Sequence, residues 1–457
     1  MIRFAANEFE NWLKNKNRKP MVLRGARQVG KTWLVREFAK SRRLKLVELN
    51  FERLPGLADL FSANDPVEIL RNIEAQLEVA IKPDSSLLFL DEIQAAPHLF
   101  SKLRWFKEEI PALPVIAAGS LLDFAVQKYR YSMPVGRITY FHLEQLSFFE
   151  FALATGAEAL FKKMSSFSLD SRMPESLHKK CLDLYHDYCL VGGMPEVAQE
   201  WVNSKNIKAC IKIQQDLLAT YRDDFHKYGG KTDAGMLNKI LLSVADQLGN
   251  KFVYSRVDPT KKLVQIKKAL SLLSRAKVCT KVQHTTGNGL PLGAESNGKF
   301  FKALMLDIGL ISVQLGFSSI KPAEAKNIVF SNKGGLAEQF VGQQLRACQT
   351  PLVSPQLFYW QRTGGRQGEI DYVIQHGNRV VPVEVKSGSA GSMKSLHQFM
   401  ADKRLNFAVR FNVNLPSVEN IKVKTTLGKP VSYQLLSLPV YLAERLDSLI
   451  SSVMKLS

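Results

Sequence analysis

The chain has 457 residues, which is enough for about three domains of ordinary size. With 46% hydrophobic and 23% charged residues, the composition excludes a disordered chain and is typical of a globular protein with a substantial core. No apolar stretch has the length of a membrane-spanning helix, and residues 1–20 lack the apolar segment of a secretory signal, so we expect no membrane partner.

The net charge of +20 is the strongest compositional indication of a partner. Proteins this basic often bind nucleic acid or an anionic surface, and the alternative is a solvated basic surface without a partner. Lysine and arginine are spread along the whole chain, which favours a folded binding surface over a basic tail. The five cysteines form no C-x-x-C pair, which predicts reduced thiols and a cytoplasmic location.

The first motif follows a short apolar strand at residues 21–23 and precedes a segment with helical spacing of apolar residues. It fits G-x-x-x-x-G-K-[ST], the phosphate-binding loop. Such a loop turns backbone N–H groups toward a polyphosphate, and the helix aims its positive end at the same place. We expect Lys31 to reach the β- and γ-phosphates and the Thr32 hydroxyl to ligate Mg²⁺. The residues of the predicted nucleotide site are Gly25, Ala26, Arg27, Gln28, Val29, Gly30, Lys31 and Thr32.

The second motif is a run of four apolar residues, 87–90, that ends in Asp91 and Glu92. The run predicts a strand buried on both faces of a parallel sheet. This is the Walker B pattern, in which Asp91 is expected to hold Mg²⁺ through water and Glu92 to polarise the attacking water. An ordinary strand that ends in acidic residues is the alternative, and the preceding phosphate loop disfavours it.

Two further side chains are candidates for contact with the γ-phosphate. Ser120 ends another apolar strand, and the strands of a nucleotide-binding sheet end at the edge where ligands bind. The alternative is a helix N-cap serine, and both roles can hold at once. Arg137 is a candidate arginine finger in its own subunit or a neighbour's, with Arg130 as a weaker rival and a plain surface arginine as the alternative.

These motifs closely resemble a bacterial and archaeal family of AAA+-superfamily ATPases that carry a C-terminal domain of unknown function. The matching stretches are G-A-R-Q-V-G-K-T, L-F-L-D-E-I-Q, A-A-G-S, G-R followed by L-x-x-L-S-F-x-E-F, and L-V-G-G-M-P-E. The resemblance implies an ASCE-type parallel sheet, ATP with Mg²⁺, and a C-terminal half with winged-helix and nuclease-like parts. One departure is the N-terminal lead, which is often longer in that family.

The middle of the chain predicts helices followed by a winged helix. The resemblance makes residues 156–235 a helical lid and linker. A helix at 237–248, a longer helix at 263–274 and a strand at 276–282 then predict the winged helix. Its basic face would contact DNA phosphates without reading sequence, and a packing or dimerisation module is the alternative. The basic residues of this segment are Lys261, Lys262, Lys267, Lys268, Arg275 and Lys277.

Residues 368–386 predict a β-hairpin whose two-residue turn is Gly377-Asn378. This turn sets the register, so Asp371 should lie across from Glu384. Directly opposed like charges destabilise a bare sheet, and a divalent cation between them would remove that cost.

The hairpin resembles the core of PD-(D/E)xK nucleases, in which Asp and Glu hold Mg²⁺ and Lys positions or activates water for phosphodiester cleavage. The resemblance implies a second Mg²⁺ or Mn²⁺ held by Asp371, Glu384 and Glu338, with Lys386 as the catalytic lysine. Ile370 stands where such cores usually have proline. The alternatives are a salt-bridged surface hairpin and a nuclease-like fold that binds DNA without cutting it.

Together these features predict an α/β protein in four parts. They are a P-loop AAA+-type ATPase core with a parallel sheet (1–155), a helical lid and linker (156–235), a winged-helix-like domain (236–298) and a restriction-endonuclease-like α/β domain (299–457). The leading hypothesis is a homo-oligomeric, ATP-hydrolysing protein that acts on DNA, whose C-terminal domain binds DNA, with cleavage as a further hypothesis. The alternatives are a nucleotide-dependent signalling or defence switch and a protein remodeller, each with a protein partner and a non-catalytic C-terminal scaffold.

Overall fold

The computed structural model describes residues 1–120, 122, 124, 133–224, 234–316, 334–362, 368–388 and 392–456. Within these ranges the strands form a five-stranded sheet and an eight-stranded sheet, connected by helical segments. A search of the same ranges finds no helix that is both long and apolar enough to cross a bilayer.

The N-terminal sheet is parallel throughout, in the order β2-β3-β4-β1-β5. Its strands are β1 (Met21–Arg24), β2 (Lys45–Asn50), β3 (Ser86–Asp91), β4 (Val115–Ala118) and β5 (Thr139–His142). Its helices are α1 (Ala5–Lys14), α2 (Lys31–Ser41), α3 (Pro66–Leu77) and α4 (Leu99–Glu109). All residues of β3 and β4 are buried, as expected of parallel strands with helices on both faces. The loops that follow β1, β3 and β4 therefore meet at one edge, and the predicted parallel sheet is confirmed.

The middle of the chain is helical and turns sharply at Gly192 and Gly193. Its helices are α5 (Phe148–Ala154), α6 (Glu158–Ser165), α7 (Glu175–Val191), α8 (Pro195–Ser204) and α9 (Ile207–Asp223). Gly192 has φ 77°, and a Cβ on it would lie 2.0 Å from Oδ1 of Asp307. A Cβ on Gly193 would lie 2.2 Å from the carbonyl oxygen of Leu146. Both positions require glycine because neighbouring polar groups approach the backbone closely.

The C-terminal sheet is mixed, in the order β12-β13-β11-β10-β9-β8-β6-β7. Its strands are β6 (Cys279–Thr285), β7 (Ser296–Met305), β8 (Leu357–Gln361), β9 (Glu369–His376), β10 (Arg379–Val385), β11 (Phe407–Asn412), β12 (Ser417–Lys424) and β13 (Pro430–Pro439). The accompanying helices are α10 (Ala234–Asp246), α11 (Leu263–Arg275), α12 (Ile308–Gln314), α13 (Gly334–Ala347), α14 (Lys394–Lys403) and α15 (Leu446–Leu456).

The winged-helix-like elements are continuous with this sheet. Helices α10 and α11 precede the antiparallel hairpin β6–β7, and β6 also pairs in parallel with β8 through Val282 and Leu357. The boundary expected between residues 298 and 299 falls inside β7. The physical reason is that a free edge of β6 would expose a row of unpaired backbone groups, and pairing with β8 satisfies them.

The register predicted for the β9–β10 hairpin is confirmed. Arg379 pairs with His376, and the pairing continues to Val383 and Tyr372. Gly377 has φ 57°, as a two-residue hairpin turn requires. The next positions along the two strands are Glu384 and Asp371.

The N-terminal and C-terminal halves meet at the first turn of α5. The backbone N–H of Phe148 donates to Oε1 of Gln344 (2.9 Å), and that of Phe149 donates to Oε1 of Glu444 (2.6 Å). These contacts satisfy donors that a helix N-terminus leaves free. Burial raises the pKa of Glu444 to about 8.

We expect the Glu444→Gln variant to be more stable than the native protein at pH 8. The folded state binds the Glu444 proton more tightly than the unfolded state, so stability falls as pH rises from about 4.5 to about 8. Glutamine keeps the acceptor for Phe149 and does not ionise, so the gain should reach about 1–3 kcal/mol at pH 8 and shrink toward pH 5. Urea unfolding at both pH values measures it, with the exposed Glu68→Gln as control. A difference that does not change with pH would contradict this account.

Candidate functional sites

The phosphate loop connects β1 to α2 with glycines where the backbone demands them. A Cβ on Gly25 would lie 2.5 Å from the carbonyl oxygen of Leu143, so only glycine fits at this close approach. Gln28 and Gly30 have φ of 63° and 93°, in the left-handed region, and α2 begins at Lys31. Backbone N–H groups turned in this way form a concave anion site at a helix N-terminus.

Lys31 lies within this loop. Its ammonium donates to the carbonyl oxygens of Ala26 (2.8 Å) and Gly25 (3.2 Å). Burial lowers its pKa to about 8, against the opposing influence of Glu92 and Asp91. A phosphate oxygen at the mouth of the loop would supply the anionic partner that a buried ammonium otherwise lacks.

The side chains predicted to hold Mg²⁺ lie together at the ends of β3 and α2. The Thr32 hydroxyl is 3.2 Å from Oδ2 of Asp91, and Asn50 at the end of β2 donates to the same oxygen (3.1 Å). Burial raises the pKa of Asp91 to about 6, and the neighbouring carboxylates Glu92 and Glu48 raise it further. A hydroxyl and a carboxylate side by side are oxygen ligands of the kind that Mg²⁺ binds, so these residues fit the ion.

Glu92 and Ser120 both lie at the carboxyl edge of the sheet. Glu92 has φ 51° and accepts a hydrogen bond from the side-chain amide of Gln94. The other end of that amide packs against Gly119, where a Cβ would lie 1.9 Å from Oε1 of Gln94. Gln94 thus bridges Glu92 to the segment that carries the buried Ser120. Gln94 ends the L-F-L-D-E-I-Q stretch, but the motif alone does not predict this contact of its side chain.

Arg3 anchors the phosphate loop from the N-terminus and was missed by the sequence interpretation. Its guanidinium donates to the carbonyl oxygens of Val29 (2.9 Å) and Glu144 (2.6 Å) and pairs with Glu150 (3.3 Å). The Arg3 and Glu150 side chains are only 4% and 5% exposed. Glu150 also accepts from the backbone N–H of Phe4 (2.5 Å). Glu150 lies in the F-x-E-F stretch of the resemblance, whereas Arg3 has no sequence signal of its own.

The C-terminal end of α9 holds the outer side of the same loop. The Tyr221 hydroxyl donates to the carbonyl oxygen of Arg27 (2.8 Å), and the Arg27 guanidinium pairs with Asp224 (2.6 Å). The loop is therefore held from both sides, by Arg3 and by the helix that the resemblance makes part of the lid.

Arg137 does not lie near the phosphate loop of its own chain, which corrects one of its two expected roles. Strand β5 runs parallel to β1, with Thr139 paired with Met21. Arg137 precedes Thr139 and so lies at the opposite edge of the sheet from the loop, where it pairs with Glu108 (2.6 Å). A role as a finger toward a neighbouring subunit stays a prediction. The rival Arg130 lies outside the described residues.

The C-terminal carboxylates surround a lysine that the sequence interpretation did not single out. Nζ of Lys302 on β7 lies 2.8 Å from Oε2 of Glu338 and 3.4 Å from Oδ1 of Asp371, and it also pairs with Glu369. The Lys302 side chain is 2% exposed. Burial, and then the charge of Asp371, raise the pKa of Glu338 well above its usual value.

The remaining members of the predicted nuclease site form a second ion pair beside the first. Lys386 pairs with Oε1 of Glu384, whose other oxygen, Oε2, is buried and has no hydrogen-bond partner. Burial, and then Asp371, raise the pKa of Glu384 to about 8. Oδ2 of Asp371 accepts from the backbone N–H of Val385 (2.7 Å).

This arrangement corrects the expected metal site. Among the described residues, no group of three or more His, Cys, Asp or Glu side chains is placed to hold a metal ion. The expected second Mg²⁺ or Mn²⁺ held by Asp371, Glu384 and Glu338 therefore does not fit the residues as they lie. The physical reason is Lys302, whose ammonium contacts two of the expected ligand groups, those of Glu338 and Asp371.

We expect Arg3→Met to destabilise the protein and to weaken its response to nucleotide. The change leaves the buried Glu150 carboxylate unpaired, which costs about 3–5 kcal/mol, and it releases the carbonyl of Val29 in the loop. Thermal unfolding with and without Mg²⁺ and ATP measures both effects.

The matched control for Arg3→Met is Arg42→Met, which breaks a more exposed Arg–Glu pair, with Glu10, between α1 and α2. If Arg3→Met unfolds at a lower temperature but keeps the full nucleotide-dependent rise, Arg3 holds the fold and does not position the loop.

Family models match three parts of the chain. Residues 17–152 match an AAA domain, residues 182–321 match the domain of unknown function DUF8612, and residues 333–427 match the domain of unknown function DUF4143. No relative is found among curated proteins.

Solved structures give distant likenesses. A Walker-type ATPase of Pyrococcus abyssi is 14% identical, with 68% of this chain and 94% of that chain covered and a TM-score of 0.42. The ORC2 protein of Aeropyrum pernix is 13% identical, with 69% and 92% covered and a TM-score of 0.33. The ORC1 protein of the same organism, in complex with DNA, is 12% identical, with 68% and 91% covered and a TM-score of 0.30. Likenesses this low assign no activity.

The family match over residues 17–152 coincides with the sheet that carries the phosphate loop, Lys31, Thr32 and Asp91. This part of the chain is therefore a P-loop ATPase domain of the AAA class.

Proposed function

We propose that the protein is a Mg²⁺-dependent, ATP-hydrolysing homo-oligomer that acts on DNA in the cytoplasm. The observation that carries the ATPase part is the contact between Thr32 and Asp91 (3.2 Å) beside the buried Lys31. From these positions the Thr32 hydroxyl and the Asp91 carboxylate can hold the Mg²⁺ of the same nucleotide whose phosphates the Lys31 ammonium contacts.

Each residue of the site has a role in phosphoryl transfer. Lys31 neutralises the charge that develops on the β- and γ-phosphates, while Thr32 and Asp91 hold the Mg²⁺, which supplies further charge stabilisation when bound. Glu92 orients and polarises the attacking water, and Gln94 fixes the carboxylate. Ser120 is the candidate contact to the γ-phosphate.

The DNA part of the proposal rests on α11 and the turn before it. One face of this helix packs in the core through Ile266, Leu270 and Leu273, and its sequence contains no acidic residue. Exposed basic side chains lie on this helix at Lys267 and Lys268 and in the turn before it at Lys261 and Lys262. A helix that follows another helix and precedes a hairpin, with lysines outward, suits contacts to the phosphates of a duplex.

We propose that the C-terminal domain binds DNA, and we do not propose that it cleaves DNA. The predicted nuclease residues Asp371, Glu384 and Lys386 are adjacent, but the ammoniums of Lys302 and Lys386 already contact carboxylates of this cluster. We keep the homo-oligomer in the proposal because Arg137 lies at the sheet edge opposite its own phosphate loop. As an arginine finger it would have to contact the nucleotide of another subunit.

A second candidate is a nucleotide-dependent switch or protein remodeller that acts through a protein partner. The observation that favours it is the direct connection between the phosphate loop and the rest of the chain. Arg27 of the loop pairs with Asp224, and the corner at Gly193 donates to Asp307 of the C-terminal half (2.7 Å). Such a protein would hydrolyse ATP slowly and without regard to DNA.

We expect Glu92→Gln to bind ATP and to hydrolyse it at least about 100-fold more slowly, because the group that polarises water is lost. We expect Lys31→Ala to lose nucleotide affinity as well. Steady-state hydrolysis with Mg²⁺ and a fluorescent-nucleotide binding assay separate the two effects, with the exposed Glu109→Gln as control. Hydrolysis at the native rate in Glu92→Gln would remove Glu92 from the mechanism.

We expect duplex, single-stranded or branched DNA to stimulate hydrolysis and to be bound through α11. The double variant Lys267→Glu/Lys268→Glu should bind DNA more weakly, with a slope of log affinity against log salt that is smaller by about 2, or about 0.9 per lost phosphate contact. The matched control is Lys179→Glu/Lys180→Glu, an exposed lysine pair on α7. Hydrolysis that no DNA form changes would favour the switch.

A further inference from the structure

The C-terminal cluster contains a positive charge in the place where the resemblance led us to expect a metal ion. Lys302 lies on β7, an edge strand of the eight-stranded sheet, and points its ammonium at three carboxylates. Glu338 comes from α13, while Glu369 and Asp371 come from β9. The two strands and the helix thus converge on a single Nζ atom.

The ammonium is enclosed and not a mobile surface charge. The backbone of Lys302 pairs with Val282 on one side and forms a bridge with Lys251 on the other. Nζ lies 5.6 Å from the centre of the Tyr359 ring. Behind the carboxylates, the Tyr372 hydroxyl donates to the backbone carbonyl of Glu338 (2.7 Å) and holds the end of α13 that carries the cluster.

A divalent cation and this ammonium would compete for the same oxygens. Both oxygens of Asp371 are engaged, one by Lys302 and the other by the backbone N–H of Val385. Mg²⁺ requires several oxygen ligands at short distance in near-octahedral geometry, and a second buried cation beside it would repel it. Removing the ammonium would leave the buried Glu338 and Asp371 and the half-buried Glu369 without their shared ion-pair partner, which is strongly unfavourable.

We propose that Lys302 is the built-in cation of this cluster and holds Glu338, Glu369 and Asp371 together in place of a divalent metal. With Lys302 in this role, these three carboxylates share an ammonium and lack the ion that metal-assisted phosphodiester cleavage requires. The inference concerns this cluster alone and stands or falls independently of DNA-stimulated ATP hydrolysis.

If Lys302 takes the place of a metal ion, a divalent ion should be able to replace its ammonium in a variant that lacks the lysine. In Lys302→Met, the methionine fills much of the volume of the lysine stem, and the freed carboxylate oxygens become ligands for a divalent ion. The Lys302→Met protein should unfold at a temperature about 5–10 °C lower than the native protein, and Mn²⁺ should restore most of that loss. Lys422→Met, at an exposed lysine of β12 in the same sheet, should change neither quantity.

The experiment uses the full chain with Asp91→Asn, which removes the carboxylate at the ATPase site, and contains no nucleotide. Electron paramagnetic resonance of free Mn²⁺ counts bound ions, and thermal unfolding is followed in the same samples. We expect no stoichiometric Mn²⁺ binding with Lys302 present and about one bound ion in Lys302→Met.

Two results would overturn the proposal. One is stoichiometric Mn²⁺ binding with Lys302 present that is abolished by Asp371→Asn, which would place a metal between Asp371 and the unpartnered oxygen of Glu384. The other is a Lys302→Met protein as stable as its parent without Mn²⁺. If Lys302→Met does not fold, the Mn²⁺ titration of the chain that keeps Lys302 still decides between the two.

Discussion

The buried carboxylate of Asp307 is the constraint on which the relative placement of the two halves depends. It has no exposed surface and accepts hydrogen bonds from the N–H of Gly193 (2.7 Å) and Gly309 (2.9 Å) and from the side chain of Gln343 (3.1 Å). Burial raises its pKa to about 6, and these donors oppose the shift. A buried charge is tolerated only where its hydrogen bonds are made, so one side chain fixes the corner between α7 and α8, the start of α12 and the face of α13.

This constraint extends to both chemical centres. Pro195 follows the corner, and a Cβ on Gly30 of the phosphate loop would lie 3.6 Å from it. At the other end, Gln343 and Glu338 lie on the same helix, α13. A displacement of the corner on nucleotide binding must therefore be taken up by Asp307 or by its partners. In the described part of the chain, the elements between the two sites pack against one another, and a close-packed interior transmits strain.

Much of the fold could be predicted from local sequence patterns. The contacts between residues far apart in the sequence could not. The phosphate loop, the buried β3 strand and the β9–β10 register follow from short stretches whose turn or apolar run decides the structure. Lys302 could not be found this way, because it reaches the cluster from another strand and nothing in its own neighbourhood marks it as buried. Arg137 is different, because the parallel pairing of β5 with β1 decides its place: a residue that precedes β5 lies at the edge opposite the phosphate loop.

The fusion of the β6–β7 hairpin to the C-terminal sheet explains why a lysine is available to the acidic cluster at all. A separate winged helix would have kept β7 away from β9, and Asp371 would have needed another counter-charge. In the observed sheet, α11 packs on β6, and β6 pairs with the strand that carries Lys302. The basic helix and the strand that carries Lys302 therefore belong to one packed layer. A cluster whose carboxylates are held by a lysine of the chain itself does not need a metal ion to bring them together. That property suits a surface that must hold its form while it binds, whereas metal-assisted cleavage would need a site that holds a divalent ion.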